Sequence, residues 1–259
     1  MKPLSSVPAD ELAKLRGLAF DLDDTFLDHG RLVTRALDAL YRLKSAGLEL
    51  FAVTGRPASW GAIATHQWPI DGAVTENGAI SFFRDGARVR GFDRLLPEER
   101  DGRRVELSRR VSELRRKLPG LVPADDVSGR ISDFTFDIGE YQKLPRDAVL
   151  TAKRTAESLG LAVMTSSVHL HVSLDRADKA SGFLRFVSER CGLEPTRARS
   201  SYAFIGDSDN DAACFAAFRV TIGVANLSGR QTVPPRYRTV GARADGFVEA
   251  ANVLLARDG

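Results

Sequence analysis

From Gly17 onward, short apolar runs alternate with segments whose apolar residues recur every three or four positions. A short unbroken apolar run suits a strand buried on both faces, and the three-to-four spacing is one face of a helix. Expected strands are Leu18-Ala19-Phe20 with Leu22, then residues 48–53, 70–74, 202–205 and 220–224. Between the first two, residues 34–46 carry Leu37, Leu40 and Leu43 on one side and stop at Gly47, a helix with a glycine terminator. Residues 58–66, 179–191, 209–218 and 246–256 are the other expected helices of this type. Alternation of this kind predicts a parallel sheet covered by helices.

The middle of the chain has another rhythm. Residues 80–83 and 88–92 flank Asp85-Gly86, a hairpin signal, and a helix follows. Residues 130–138 alternate Ile131, Phe134, Phe136 and Ile138 with polar positions, but the phase slips at Asp133-Phe134, which predicts a half-exposed strand with a bulge. Residues 144–159 form a further helix, and 161–164 with 168–174 a strand pair. The chain is therefore expected to be α/β, with a Rossmann-like parallel-sheet core made of 1–83 and 176–259 and an α+β unit, 84–175, inserted into it.

Bulk properties narrow the classes. With 259 residues, 43% hydrophobic and 27% charged, the chain has the size and composition to bury a sizeable core. No apolar run approaches the roughly 18 residues of a membrane span. The first ten residues lack the basic-then-apolar pattern of a secretory leader. Cys191 and Cys214 fall in helical segments, where buried free thiols suit a reducing cytoplasm, the expected location. The net charge is +3. The densest basic stretch, 100–117, interleaves its arginines with Glu106 and Glu113 and carries Val105, Leu107, Val111, Leu114 and Leu118 at helical spacing. That is a solvated helix face, so nucleic acid is not an expected partner.

Candidate chemistry lies at the strand ends. Asp21, Asp23 and Asp24 follow the first strand, at the crevice where open α/β sheets bind ligands. One such Asp is commonly a turn cap. Three together repel one another unless a cation neutralises them, and a hard divalent ion such as magnesium suits oxygen ligands beside phosphate. Val53 is followed by Thr54-Gly55-Arg56, a hydroxyl, a flexible backbone and a guanidinium for gripping a phosphoryl oxygen. Ile205 is followed by Gly206-Asp207-Ser208-Asp209-Asn210-Asp211 at a helix start. A helix N-cap accounts for Asp209 alone, not for the group. Lys179 opens the helix where the core pattern resumes.

In this order the four pieces resemble the haloacid dehalogenase superfamily: Asp21-Leu22-Asp23-Asp24-Thr25, then Thr54, then Lys179, then the 206–211 cluster. An insert between the second and third pieces, with Glu76-Asn77-Gly78-Ala79, is similar to subfamily IIB, which bears a C2B-type cap and includes Cof-type phosphatases, phosphomannomutase and sucrose, trehalose and mannosylglycerate phosphate phosphatases. One departure is Asp24, where relatives with this cap often carry Gly. The resemblance implies Asp21 as the nucleophile that becomes an aspartyl phosphate and Asp23 as general acid and base. It implies Mg²⁺ held by Asp21, the Asp23 carbonyl and Asp207, with Asp211 in support. Thr54 and Lys179 are implied to neutralise the phosphoryl oxygens.

The implied substrate is a small phosphorylated metabolite, at family level a sugar phosphate, with no nucleic-acid or membrane partner and a monomer or homodimer as the assembly. Gly55, Arg56 and Asn77 are expected near the cleft, and Arg130, Asp133, Lys143, His169 and His171 are candidate cap readers of the leaving group. His169 and His171 share a strand face without a third ligand, so zinc is not expected. Trp60 and Trp68 are expected to pack in the core. Two other readings are a sugar phosphomutase, which shares the same catalytic residues, and a nucleic-acid-binding protein on an inactive core, which would bind any duplex in a salt-sensitive way.

Overall fold

Nine strands form the larger of two sheets in the computed structural model, which describes residues 1–166, 168–227 and 231–256. Across that sheet the order is Lys2–Pro3, Tyr237–Arg238, Val220–Gly223, Tyr202–Gly206, Gly17–Phe20, Glu49–Val53, Gly72–Thr75, Ile80–Asp85 and Arg88–Asp93. The first seven run parallel, and the last two are joined by antiparallel pairings, so that only Ile80–Asp85 runs the other way. Alternation within each strand divides the core. Leu18, Phe20, Leu50, Ala52, Ala203 and Ile205 face the helices Thr34–Ser45 and Arg243–Leu255, where Phe20, Phe26 and Phe247 meet edge to face or tilted. Ala19, Phe51, Val53 and Phe204 face Lys179–Cys191, Pro195–Ser201 and Ala212–Ala217. Burial on both faces explains why these strands are written as apolar runs.

The second sheet has four strands in the order Val122–Pro123, Asp133–Asp137, His169–Ser173 and Ala162–Thr165, all antiparallel. The helices Pro97–Lys117 and Arg146–Ser158 bury its apolar face through Leu107, Val111, Leu114, Ala152, Phe136 and Leu170. Its other face carries Asp133, Thr135, His169, His171 and Ser173, the polar phase of the same strands, and looks across to the larger sheet. One buried and one polar face is the usual habit of an antiparallel sheet.

Three details differ from the sequence expectation. Arg88–Asp93 lies within the span 84–175 expected for the insert, yet it pairs with Ile80–Asp85 as the outer edge of the larger sheet. We place the insert between Asp93 and Asp175 on that pairing. The strand expected over 130–138 starts only at Asp133, with no bulge in its pairing to His169–Ser173. The chain enters this strand out of phase because Glu76, on the core, takes the backbone donors of Ile131 and Ser132. Arginines at the start of Pro97–Lys117 are spent on the two connecting segments: Arg100 pairs with Asp93 and with the buried Asp175 (2.7 Å), which also receives Arg94 and Arg103. No helix among the described residues is long and apolar enough to cross a membrane.

Candidate active site

Asp21 stands one residue past Gly17–Phe20, its amide donating to the Ile205 carbonyl at 3.0 Å, so the carboxylate emerges between two central strands. Lys179 opens the helix Lys179–Cys191, whose N-terminus is capped by Asp178. That helix can approach because Gly78 and Gly182 face each other. A Cβ on Gly78 would lie 2.1 Å from the Asp178 carbonyl oxygen. The ammonium of Lys179 is fully buried and donates to Asp21 Oδ1 at 2.8 Å and to Asp211 Oδ1 at 2.7 Å, with Asn210 Oδ1 at 3.3 Å. Burial opposes its charge, but Asp21 and Asp211 outweigh that and hold it well above the ordinary lysine value.

Asp207 completes the cluster. Oxygens of Asp21, Asp207 and Asp211 come within 4.8 Å of one another. The other oxygen of Asp211 accepts from the amides of Asp207 (3.0 Å) and Ser208 (3.2 Å), so Asp211 braces the Asp207 loop. Gly206 has no side chain in the way: a Cβ there would meet that oxygen at 2.3 Å. Asp207 Oδ1 accepts from the Thr25 hydroxyl at 3.3 Å. Asp21 and Asp207 both sit well above the ordinary carboxylate range. Burial is the main cause in each; Lys179 offsets it at Asp21 while Asp211 adds to it, and at Asp207 the charges of Asp21 and Asp211 add to it. One ammonium does not balance three carboxylates, and the hard oxygen donors of Asp21 and Asp207 fit a divalent cation.

Thr54 is buried just past Glu49–Val53; the pairing of Phe20 with Ala52 puts it one step beyond the level of Asp21. Its hydroxyl accepts from the Arg56 amide at 3.1 Å. The Arg56 guanidinium grips the Asp23 carboxylate (Nε to Oδ2 2.9 Å) and lies 3.9 Å from the centre of the Trp60 ring. Trp60 therefore packs on the core with one face and supports Arg56 at the cleft with the other. Asp24, in the left-handed region, sends its carboxylate away to Arg243 at 2.9 Å, and Asn226 holds its carbonyl.

A cleft of about 540 Å³ joins these residues to the polar face of the smaller sheet. Asp21, Asp23, Gly55, Arg56 and Asp207 line the core side; Asp125, Glu140, Tyr141, Ser166, His169 and His171 line the other. His169 pairs with Glu140 at 2.8 Å, and Tyr141 donates to Asp125 at 3.1 Å. Burial holds His171 below its ordinary value, and its Nδ1 lies 3.1 Å from the Asp133 carboxylate, which only accepts, so Nδ1–H donates there and Nε2 of the neutral ring is left as an acceptor. Of the expected readers, Arg130 reaches the cleft with its guanidinium already engaged by Asp126, Asp133 and the Gly55 carbonyl. Lys143 is exposed and lies outside the cleft lining. Asn77 packs its amide against Gly55 and lines a neighbouring cavity of about 530 Å³ instead of this cleft, because its left-handed backbone turns it there. Glu140, Asp125 and Tyr141 were missed from sequence; each is an ordinary polar loop residue with no pattern around it.

Comparison with known proteins bears on family likeness and fold. The profile of the haloacid dehalogenase-like hydrolase family matches residues 18–89. The chain is 28% identical over 245 residues to a phosphoglycolate phosphatase of Methanothermobacter thermautotrophicus, covering 93% of this chain and 99% of the relative. Its fold is similar to that of the Thermoplasma acidophilum protein 0175, with a TM-score of 0.74 at 19% identity over 93% of this chain and 98% of that one. It is also similar to BT4131, a subclass IIB sugar phosphatase of the same superfamily, with a TM-score of 0.62 at 15% identity, covering 92% and 98% of the two chains.

Proposed function

We propose that the chain is a haloacid dehalogenase-like phosphoric monoester hydrolase, a magnesium-dependent phosphatase acting on a small sugar phosphate through Asp21; the family likeness of residues 18–89 and the phosphatase relative matched along its length support this. The observation that carries this reading is the buried Lys179 ammonium, bonded to Asp21 and Asp211 with Asp207 alongside. Residues from separate stretches of the chain meet there around a single oxygen-lined point.

Asp21 attacks phosphorus: an oxygen–phosphorus bond forms to its carboxylate as the bond to the leaving oxygen breaks. Asp23 gives the leaving oxygen its proton, then takes one from the water that cleaves the aspartyl phosphate, restoring Asp21 and releasing phosphate. Substrate oxygens compete for Arg56, which releases Asp23 from its ion pair for this work. Thr54 and Lys179 neutralise the phosphoryl oxygens. Asp21, Asp207 and the Asp23 carbonyl would hold Mg²⁺, with Asp211 bracing the loop, and the ion would supply charge neutralisation at the phosphoryl group. A wall of hydroxyl, imidazole and carboxylate groups suits a hydroxylated leaving group.

A second reading, phosphoglycolate, is favoured by the Methanothermobacter relative, a phosphoglycolate phosphatase. A leaving group that carries a carboxylate needs a cation, and Arg56 and Arg130 are both engaged by carboxylates, leaving Arg31, among the described arginines of the cleft lining, to receive it. Phosphate release from hexose phosphates and phosphoglycolate separates the readings, and isomerised sugar phosphate without free phosphate would identify a mutase. We expect hexose phosphates to be hydrolysed fastest; preference for phosphoglycolate, lost in Arg31→Ala, would replace the sugar reading.

Metal and pH are linked through the same carboxylates. Asp21 and Asp207 have folded values above their unfolded ones, so the folded chain keeps protons that the unfolded chain has released. Stability is then lost as pH rises through the folded values. Without metal, Tm is expected to fall as pH climbs from mildly acid to mildly alkaline. Added magnesium competes with protons for the same oxygens and should raise Tm most at the alkaline end. Thermal melts with and without magnesium measure this, and an equal magnesium shift at every pH would contradict it.

A further inference from the structure

Glu76 is a carboxylate on the core that faces almost nothing of the core. It is only 3% exposed, with φ of +49° followed by +53° at Asn77, two successive non-glycine residues in the left-handed region. Such backbone conformations are strained and persist only where surrounding contacts over-determine them. Those contacts come mainly from the insert. Ile131 N–H donates to Oε1 at 2.8 Å, and to Oε2 come the Ser132 N–H at 2.5 Å, the Ser132 hydroxyl at 2.6 Å and the Asp133 N–H at 3.2 Å. Ala58 N–H, from the core, fills the last position at 3.0 Å.

The three amides are consecutive and lie at the entry to the central strand Asp133–Asp137. From there the contacts continue in two directions. The Asp133 carboxylate holds the His171 ring and, at 3.0 Å, the Arg130 guanidinium. Arg130 in turn donates to the carbonyl of Gly55, beside Thr54, at 3.1 Å. Glu76 is thus joined through Asp133 to the cleft wall, where Arg130 and His171 stand. An acceptor that collects successive backbone donors fixes a segment in both position and orientation, as a side chain–side chain pair does not.

We propose that Glu76 is a positioning residue for the hydrolytic reaction: it clamps Ile131-Ser132-Asp133 to the core and so sets His171 and Arg130 in the wall that meets the leaving group. The kinetic part rests on the reading of the cleft as the hydrolytic site; the clamp itself does not. A phosphate ester with a large polar leaving group depends on that wall, whereas para-nitrophenyl phosphate, whose leaving group departs without help from the wall, does not.

The test has two arms. Amide hydrogen exchange of the wild type should show Ile131, Ser132 and Asp133 protected although residues 131 and 132 lie outside any strand, and Glu76→Gln should lose that protection while both sheets keep theirs. In the same variant, kcat/KM for the best hexose phosphate should drop by about 10- to 100-fold, mostly through KM, with para-nitrophenyl phosphate changed by about twofold or less. Ser132→Ala, which removes one donor of five, should give a smaller loss in the same direction, and it serves if Glu76→Gln does not fold. Unprotected amides in the wild type would overturn the clamp. Protected amides with equal losses on both substrates would overturn the positioning role. A protein that hydrolyses no phosphate ester would instead refute the proposed function, leaving the exchange result to judge the clamp alone.

Discussion

Asp21→Asn is expected to lower phosphate release on the order of 10⁵-fold or more, because an amide oxygen does not form the acyl phosphate and the remaining groups act only through it. The same substitution should leave the fold intact or slightly firmer. Asp21 is 4% exposed and burial works against its charge, so replacing the carboxylate with a neutral amide removes a solvation cost and one source of repulsion toward Asp207. Lys179 retains Asp211 as its ion-pair partner. Loss of turnover with Tm unchanged or raised is the signature of a functional carboxylate held against its own stability. Purified variant and wild type, compared by phosphate release and by thermal melt, decide it. Residual turnover within about a hundredfold of wild type would remove Asp21 from the nucleophile's place.

That site was readable from sequence because its parts sit at strand ends. Strands buried on both faces announce themselves as apolar runs, and the residue after each run falls at the crevice. Asp21, Thr54 and Asp207 each follow such a run, and Lys179 opens a helix that the apolar spacing located. What the sequence hid was pairing across distance. Nothing near Arg56 shows that its guanidinium lies on Asp23, 33 positions earlier, nor that Asp24 turns to Arg243. The slip in alternation at Asp133 was visible, but its cause was a carboxylate 57 residues away. Asn77 looked like a cleft residue by its place after a strand; its positive φ, which no local pattern forces on an asparagine, turned it onto Gly55. The strands Lys2–Pro3, at the sheet's edge, and Tyr237–Arg238, next to it, are two residues each, too short for any period to register.

Lys179→Met is expected to cost activity and stability together, whereas Asp21→Asn costs activity alone. Methionine fills the space of the lysine stem but leaves Asp21 and Asp211 buried with no cation between them. Removing one partner of a buried ion pair costs about 3–5 kcal/mol, which for a chain of this size lowers Tm on the order of 10 °C. The sign of the pH effect follows from which charge was lost. Two facing carboxylates without their ammonium favour proton uptake in the folded state, raising folded values above unfolded ones, so stability declines as pH rises. The deficit against wild type should therefore widen from mildly acid to mildly alkaline solution, and magnesium should narrow it by supplying the missing positive charge at the adjoining oxygens. Thermal melts across pH measure both trends. A deficit that stays constant with pH would mean that Lys179 contributes packing alone, because lost van der Waals contact does not depend on protons whereas lost charge compensation does.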